Sequence, residues 1–339
     1  MRSLHALISG FLLLSASAGA QETRGAIQGR IVDPNGAAVP GAKVAVVSEE
    51  TNAVLNLVSN ETGYYEARFL LPGSYSISAE AQGFKRTIRK GLVLQMASQL
   101  SIDIALELGA LTESVSVTAE APMLDTSASS SGRVLDNMSL TELPMYNGNP
   151  TALVRYAPGI QTSGNNAQGA LFANSVSSEY TVAGQSGTNA WSIDGAPNDG
   201  LDRRISAIPN TDTIQEMKVE TSNFDASFGH STGVGVSMMT KAGTNSFHGL
   251  ANWFHRQARW QAADYFQKEF RNKQINDLLA AGDTAGAQAL RDTPIRASGR
   301  TNGYAANLGG PVLLPKLYNG RNRTFFYFSV DGVNPRSTE

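Results

Sequence analysis

Between Thr213 and Gly249 two short runs read as strands, and the second alternates in hydropathy with a period of two, which points the region to a β fold. Ile214, Met217 and Val219 are interrupted by Gln215, Glu216 and Lys218, which reads as a short strand. A loop with Phe224 and Phe228 among small and polar residues follows. In Gly233-Val-Gly-Val-Ser-Met-Met-Thr240, Val234, Val236 and Met238 alternate with small residues, as in a strand with one buried face. Its glycines let another backbone come close. From Thr244 to Arg256 a third, aromatic segment puts Phe247, Ala251 and Trp253 on the face of Gly249, and His248, Asn252 and Arg256 on the other.

Charge does not favour a nucleic-acid partner: Lys+Arg is 27 against Asp+Glu 29 in 339 residues. There is no Cys, which excludes disulfide staples and thiolate metal sites. Residues 1–20 read as a signal peptide: Arg2, an apolar core from Leu7 to Leu14, and Ala18-Gly-Ala20 before Gln21. No later stretch is apolar for long enough to span a bilayer as a helix. A membrane barrel strand needs only about 10 alternating residues.

From Gly25 to Leu108 short alternating runs recur between Gly/Pro turns, which predicts a β-sandwich. Ile27 and Ile31 share a side with Gly29, and Asp33-Pro-Asn-Gly36 and Pro40-Gly41 are turns. Ala97 to Leu108 supplies a last strand. The segment resembles the carboxypeptidase-regulatory-like domain at Gly25, Gly29, Asp33, Gly36, Pro40, Gly41, Gly63, Tyr64, Leu71, Pro72, Gly73, Tyr75, Gly83 and Phe84. That resemblance implies a spacer or docking sandwich and no peptidase, since the segment has no His for a His-based zinc site.

Residues 111–122 alternate Val115 and Val117 with Ser114, Ser116 and Thr118, and β-branched alternation favours extended backbone. Residues 123–241 read as a mixed α/β domain. It has a short element at Leu135–Leu143 capped at Ser139, a helix from Asn149 to Tyr156, and strands at Tyr180–Ala183 and Trp191–Ile193. Residues 244–339 read as the start of a barrel, with strands at Thr244–Arg256, Gly303–Val312 and Arg323–Gly332. The first connection is long and partly helical, the second short, the asymmetry expected of outside and periplasmic loops.

This order resembles the TonB-dependent outer-membrane receptors and transporters, in the Oar-like branch that carries an N-terminal carboxypeptidase-regulatory-like domain. The residues that carry it are Ile214 to Lys218, Phe228-Gly229, Gly233 to Met239 and Lys241. Gly309-Gly-Pro311 and Asn319-Gly-Arg-Asn-Arg-Thr-Phe-Phe326 add to them. The usual Gly-Pro after the first of these strands is replaced by Thr221-Ser-Asn-Phe224, and an Arg of the family by Asn149. The resemblance implies that 123–241 is the plug, and that Glu113, Ser114, Val115, Ser116, Val117, Thr118 and Ala119 form a TonB box gripped by TonB and its inner-membrane complex. It also implies that the plug loop with Asn198, Asp199, Asp202, Arg203 and Arg204 faces a small ligand such as a siderophore, glycan or peptide. Further implications are an outer-membrane location with a periplasmic sandwich, no cofactor, no metal and no nucleic acid. A closed barrel of this class has about 22 strands. With three visible, the sequence reads as an N-terminal fragment or a truncated frame that does not transport alone.

Two other classes compete. One is a cell-surface structural or adhesive β protein, which leaves the order of segments unexplained. The other is a serine hydrolase: Gly229-His-Ser-Thr-Gly233 matches G-x-S-x-G with Ser231 as nucleophile. That motif requires a strand before it and a helix after it, and the residues after it here alternate as a strand. His230, His248 and His255 have no metal-site spacing.

Overall fold

The computed structural model describes residues 23–109, 114–118, 131–143, 149–162, 180–182, 185–186, 189–200, 205–222, 233–257, 262–293 and 299–336, with Trp260 and Ile295. The signal-peptide residues, Glu113, Ala119, Asp202, Arg203, Arg204, His230 and Ser231 lie outside them. The chain divides into two compact units: residues to 248 with 309–327, and residues 249–308 with 328–339.

The first unit opens with the sandwich. Its strands are β1 (Gly25–Val32), β2 (Lys43–Ser48), β3 (Val54–Val58), β4 (Tyr64–Leu70), β5 (Gly73–Glu80), β6 (Arg86–Leu94), β7 (Gln99–Ser101), β8 (Ile104–Ala105) and β9 (Ser114–Thr118). One sheet runs β3-β2-β5-β6-β9 and the other β4-β1-β7, with β8 also on β1. The alternation read in β1 is the alternation buried: Ile27 and Ile31 are fully covered and meet Val44, Val46, Tyr65, Ile77, Leu92 and Ile102 in one core. Residues 97–108 do not make one strand. They split into β7 and β8, both parallel to β1, and β9 follows in the opposite sheet. Strand β3 escapes a pattern reading because it is an edge strand exposed along most of its length.

The mixed α/β region, expected from the sequence to be a plug, contains β10 (Ser131–Asp136), α1 (Asn137–Glu142), a 3-10 turn at Pro150–Tyr156, β11 (Ile160–Thr162), β12 (Tyr180–Val182), β13 (Gln185–Ser186), β14 (Ala190–Ile193), β15 (Ala196–Pro197), β16 (Ile214–Ser222) and β17 (Gly235–Thr240). Its main sheet runs β10-β16-β17-β14-β15, and β11-β12-β13 form a smaller one. Helix α1 is capped one turn earlier than the Ser139 reading: the Asp136 carboxylate accepts the Ser139 amide at 2.8 Å. A carboxylate at an N-cap serves the first free N–H groups as well as a hydroxyl does. Asn149, where the family has Arg, caps the 3-10 turn by accepting the Thr151 N–H at 2.9 Å.

The barrel-like region holds β18 (His248–Gln257), α2 (Tyr265–Ala280), α3 (Thr284–Asp292), β19 (Arg300–Pro311), β20 (Leu313–Leu314), β21 (Tyr318–Asn319) and β22 (Phe325–Arg336). Its sheet runs β18-β19-β22, the two helices fill the long connection, and β20 pairs β21 in the short one. Within the second unit Leu250, Trp253, Tyr304, Leu308, Phe328 and Val330 are all exposed. So much large apolar surface is unusual in water and is the composition of a lipid-facing band.

Candidate functional site

Strand β9 carries five of the seven box-like residues. Its register on β6 is parallel: Arg86 opposite Ser114, Thr87 opposite Val115, Ile88 opposite Ser116, Arg89 opposite Val117 and Lys90 opposite Thr118. Parallel neighbours need a long crossover. The chain between them visits the opposite sheet as β7 and β8. Strand β9 ends its sheet, so among the described residues its outer edge pairs with no strand.

The sandwich meets the mixed α/β region at β16. Ile214, Met217 and Val219 are all in that region's core with Trp191, Val236 and Met238. The polar residues that interrupt them are not a solvated face. Glu216 and Glu220 are buried too. Glu216 Oε2 accepts the backbone N–H of Met96, in the sandwich loop after β6, at 2.6 Å. Lys218 Nζ lies 3.0 Å from Glu220 Oε1, with only 14% and 5% of the two side chains exposed. A second strand face that is polar and covered can be recognised only once its cover is known.

Burial pushes the Glu216 carboxyl up to about 7; the Met96 amide opposes the rise and the Asp136 carboxylate across the β10–β16 pair adds to it. The folded protein therefore holds this proton more tightly than an unfolded chain, whose glutamate titrates near 4.5. The stabilising contribution is fully present below about 4.5 and is lost as pH rises through about 7. Its full span is about 3 kcal/mol. Glu216→Gln should flatten the fall in melting temperature between pH 5 and pH 8. A fall as steep in the variant as in the parent would assign the pH dependence to another group.

The sandwich is also tied to the short connection between β19 and β22. Asn245 N–H donates to Glu50 O at 3.1 Å, and Asn52 Nδ2 donates to Asn322 Oδ1 at 3.0 Å. Asn245 and Asn322 close a reciprocal pair: Nδ2 of Asn245 donates to Asn322 Oδ1 and the Asn322 N–H donates to Asn245 Oδ1, both at 2.7 Å. Asn52 and Asn322 both have positive φ, a conformation Asn tolerates better than most side chains. The resemblance-bearing Asn319–Phe326 run thus includes a docking residue.

In the plug loop, the two described candidates hold the loop itself. Asn198 Nδ2 donates to Ala207 O at 2.7 Å, and its Oδ1 accepts the Ala207 N–H at 3.1 Å. Asp199 Oδ1 accepts the Trp191 N–H at 2.9 Å. Asp194 follows strand β14. It turns the chain with a φ of 50° and clamps the end of β17, accepting the Thr240 N–H at 2.8 Å and the Thr240 hydroxyl at 2.7 Å. The G-x-S-x-G run leads into β17, a strand, where a nucleophile elbow needs a helix. Among the described residues no cluster of His, Asp and Glu is placed to hold a metal.

Residues 26–107 match the carboxypeptidase regulatory-like domain, and residues 239–339 the outer membrane beta barrel domain. Over 333 residues, 94% of this chain and 28% of the relative, the sequence is 26% identical to the TonB-dependent transporter Oar of Myxococcus xanthus. The chain thus spans little more than a quarter of that relative's length. Among solved structures, the Bacillus anthracis TIE protein aligns with 25% of this chain and 17% of its own at 19% identity and a TM-score of 0.23. A catechol 1,2-dioxygenase from Acinetobacter sp. aligns with 32% of this chain and 60% of its own at 14% identity and a TM-score of 0.24. Likenesses of that size carry no argument. The domain matches and the transporter relative place the chain in the outer membrane, with its sandwich on the periplasmic side.

Proposed function

We infer that this chain, an Oar-like TonB-dependent receptor sequence, carries the sandwich, coupling strand, plug and first barrel strands of a transporter that takes up a scarce ligand with energy delivered by TonB. The outer membrane has no ATP and no sustained ion gradient, so active uptake there needs a mechanical link to the inner membrane. Strand β9 is the observation that supports this link. It is extended, it lies between the sandwich and plug strands in sequence, and its outer edge is open among the described residues. Main-chain hydrogen bonds to an added strand give such a segment affinity without a pocket. Glu113 and Ala119 complete the segment on either side.

In the plug, Asn198 and Asp199 brace the loop from within, and Asp202, Arg203 and Arg204 are its ligand-facing charges. The ligand is a small molecule of the siderophore, glycan or peptide kind. In cells expressing the complete receptor gene, deleting TonB should abolish accumulation of the ligand and leave its surface binding unchanged. Accumulation that continues at the parental rate without TonB would remove the energy-coupling reading.

A further inference from the structure

We propose that the β-sandwich is a clamp on the coupling strand: at rest β9 is held as the fifth strand of the sandwich sheet, and TonB takes it by exchange, stripping it from β6. The proposal rests on the coupling role inferred for β9 and goes beyond it, because it makes the sandwich a competitor for the same strand.

Three observations support it. First, the pairing is continuous over all five residues of β9, from Ser114 to Thr118, yet the strand is short and, among the described residues, held on one side only. An element with so few partners opens before the rest of its sheet. Second, the strand it leaves is anchored. Strand β6 ends at Leu94, and two residues later the Met96 amide is bonded to buried Glu216 of the plug. The sandwich is fixed again through Glu50, Asn52, Asn245 and Asn322. A pull on β9 therefore cannot carry the sandwich along freely, and the load falls on the β6–β9 ladder. Third, Thr87, opposite Val115 in that ladder, is buried and its hydroxyl has no hydrogen-bond partner among the described residues. A buried hydroxyl without a partner is a standing cost of the closed state, and water arriving when the neighbouring strand departs relieves it. Each backbone bond given up to β6 is replaced by one to the incoming strand, so exchange runs near balance and a modest force decides it.

The native chain has no Cys, so a designed disulfide is unambiguous. Ile88 and Ser116 are direct partners in the ladder. In the complete receptor, the Ile88→Cys/Ser116→Cys double variant should oxidise spontaneously in resting cells, seen as one disulfide-linked peptide by mass spectrometry. Oxidised receptor should capture the periplasmic domain of TonB at least tenfold less well than the same protein after reduction, with ligand binding equal in both forms. Failure of the disulfide to form while the two single variants fold normally would show that β9 does not rest on β6. A disulfide that forms but leaves TonB capture undiminished would show that TonB adds to the outer edge of β9 without displacing it. Either result overturns the clamp. If the reduced variant and the parent both fail to capture TonB, the coupling role itself falls, and the clamp with it.

Discussion

On the coupling role inferred for β9, proline at both Val115 and Val117 is expected to stop ligand uptake by the complete receptor and to leave ligand binding at the cell surface intact. Strand addition depends on backbone N–H donors and an extended chain. Proline removes the donor and fixes φ, whereas Val→Ala keeps both and alters only the side chain. Each main-chain bond has a net worth of about 0.5–1.5 kcal/mol, so a five-residue strand that loses two donors and its regular conformation loses most of its affinity for any partner strand. The paired alanine substitutions should retain most uptake. Radiolabelled or fluorescent ligand distinguishes the arms: binding at 0 °C measures the surface site, and accumulation at growth temperature measures transport. If accumulation persists with proline at both positions, this segment is not the coupling site and is better described as the sandwich's last strand.

Gly29→Ala is expected to destabilise the sandwich far more than Gly36→Ala. A Cβ added at Gly29 would lie 1.9 Å from Ile102 O and 2.5 Å from its carbonyl carbon. Those are backbone atoms of a buried segment: Ile102 is 1% exposed, its N–H donates to Gln28 O at 2.7 Å, and its carbonyl accepts the buried Tyr65 hydroxyl at 2.8 Å. No side-chain rotation relieves the clash, so β1 must move away from residues 99–105, and two hydrogen bonds and core packing go with it. The expected loss is about 3 kcal/mol or more. Gly36 has a φ of 82° and nothing within 4 Å of its would-be Cβ. Alanine there meets only the cost of the left-handed conformation, about 1–2 kcal/mol. Denaturant midpoints of the two variants, followed by circular dichroism, test the contrast; equal shifts would contradict the close approach at Gly29.

Much of the framework was legible in the sequence, because alternation is local. The pattern of Ile27, Gly29 and Ile31 states which side of β1 is covered, and Val234, Val236 and Met238 do the same for β17. The turns at Asp33–Gly36 and Pro40–Gly41 divide the strands, and the order β-sandwich, mixed α/β region and barrel-like strands can be read along the chain. These features depend on neighbours one or two residues away, so the sequence carries them directly.

Only the tertiary structure decided where the strands lie and what covers their second faces. The alternation at Val115 and Val117 states that β9 is extended but not where it lies; the chain's passage through the opposite sheet brings it back parallel to β6. Glu216 is in the sequence only a polar interruption of a strand. The loop after β6 covers it, supplies a hydrogen-bond donor and raises its pKa to about 7. Asp194 and Asn322 take their roles from the partners Thr240 and Asn245, 46 and 77 residues away in the sequence. A local pattern says which face of a strand is apolar. It does not say which edge another strand occupies or which polar face is buried, because both depend on contacts between residues far apart in the chain.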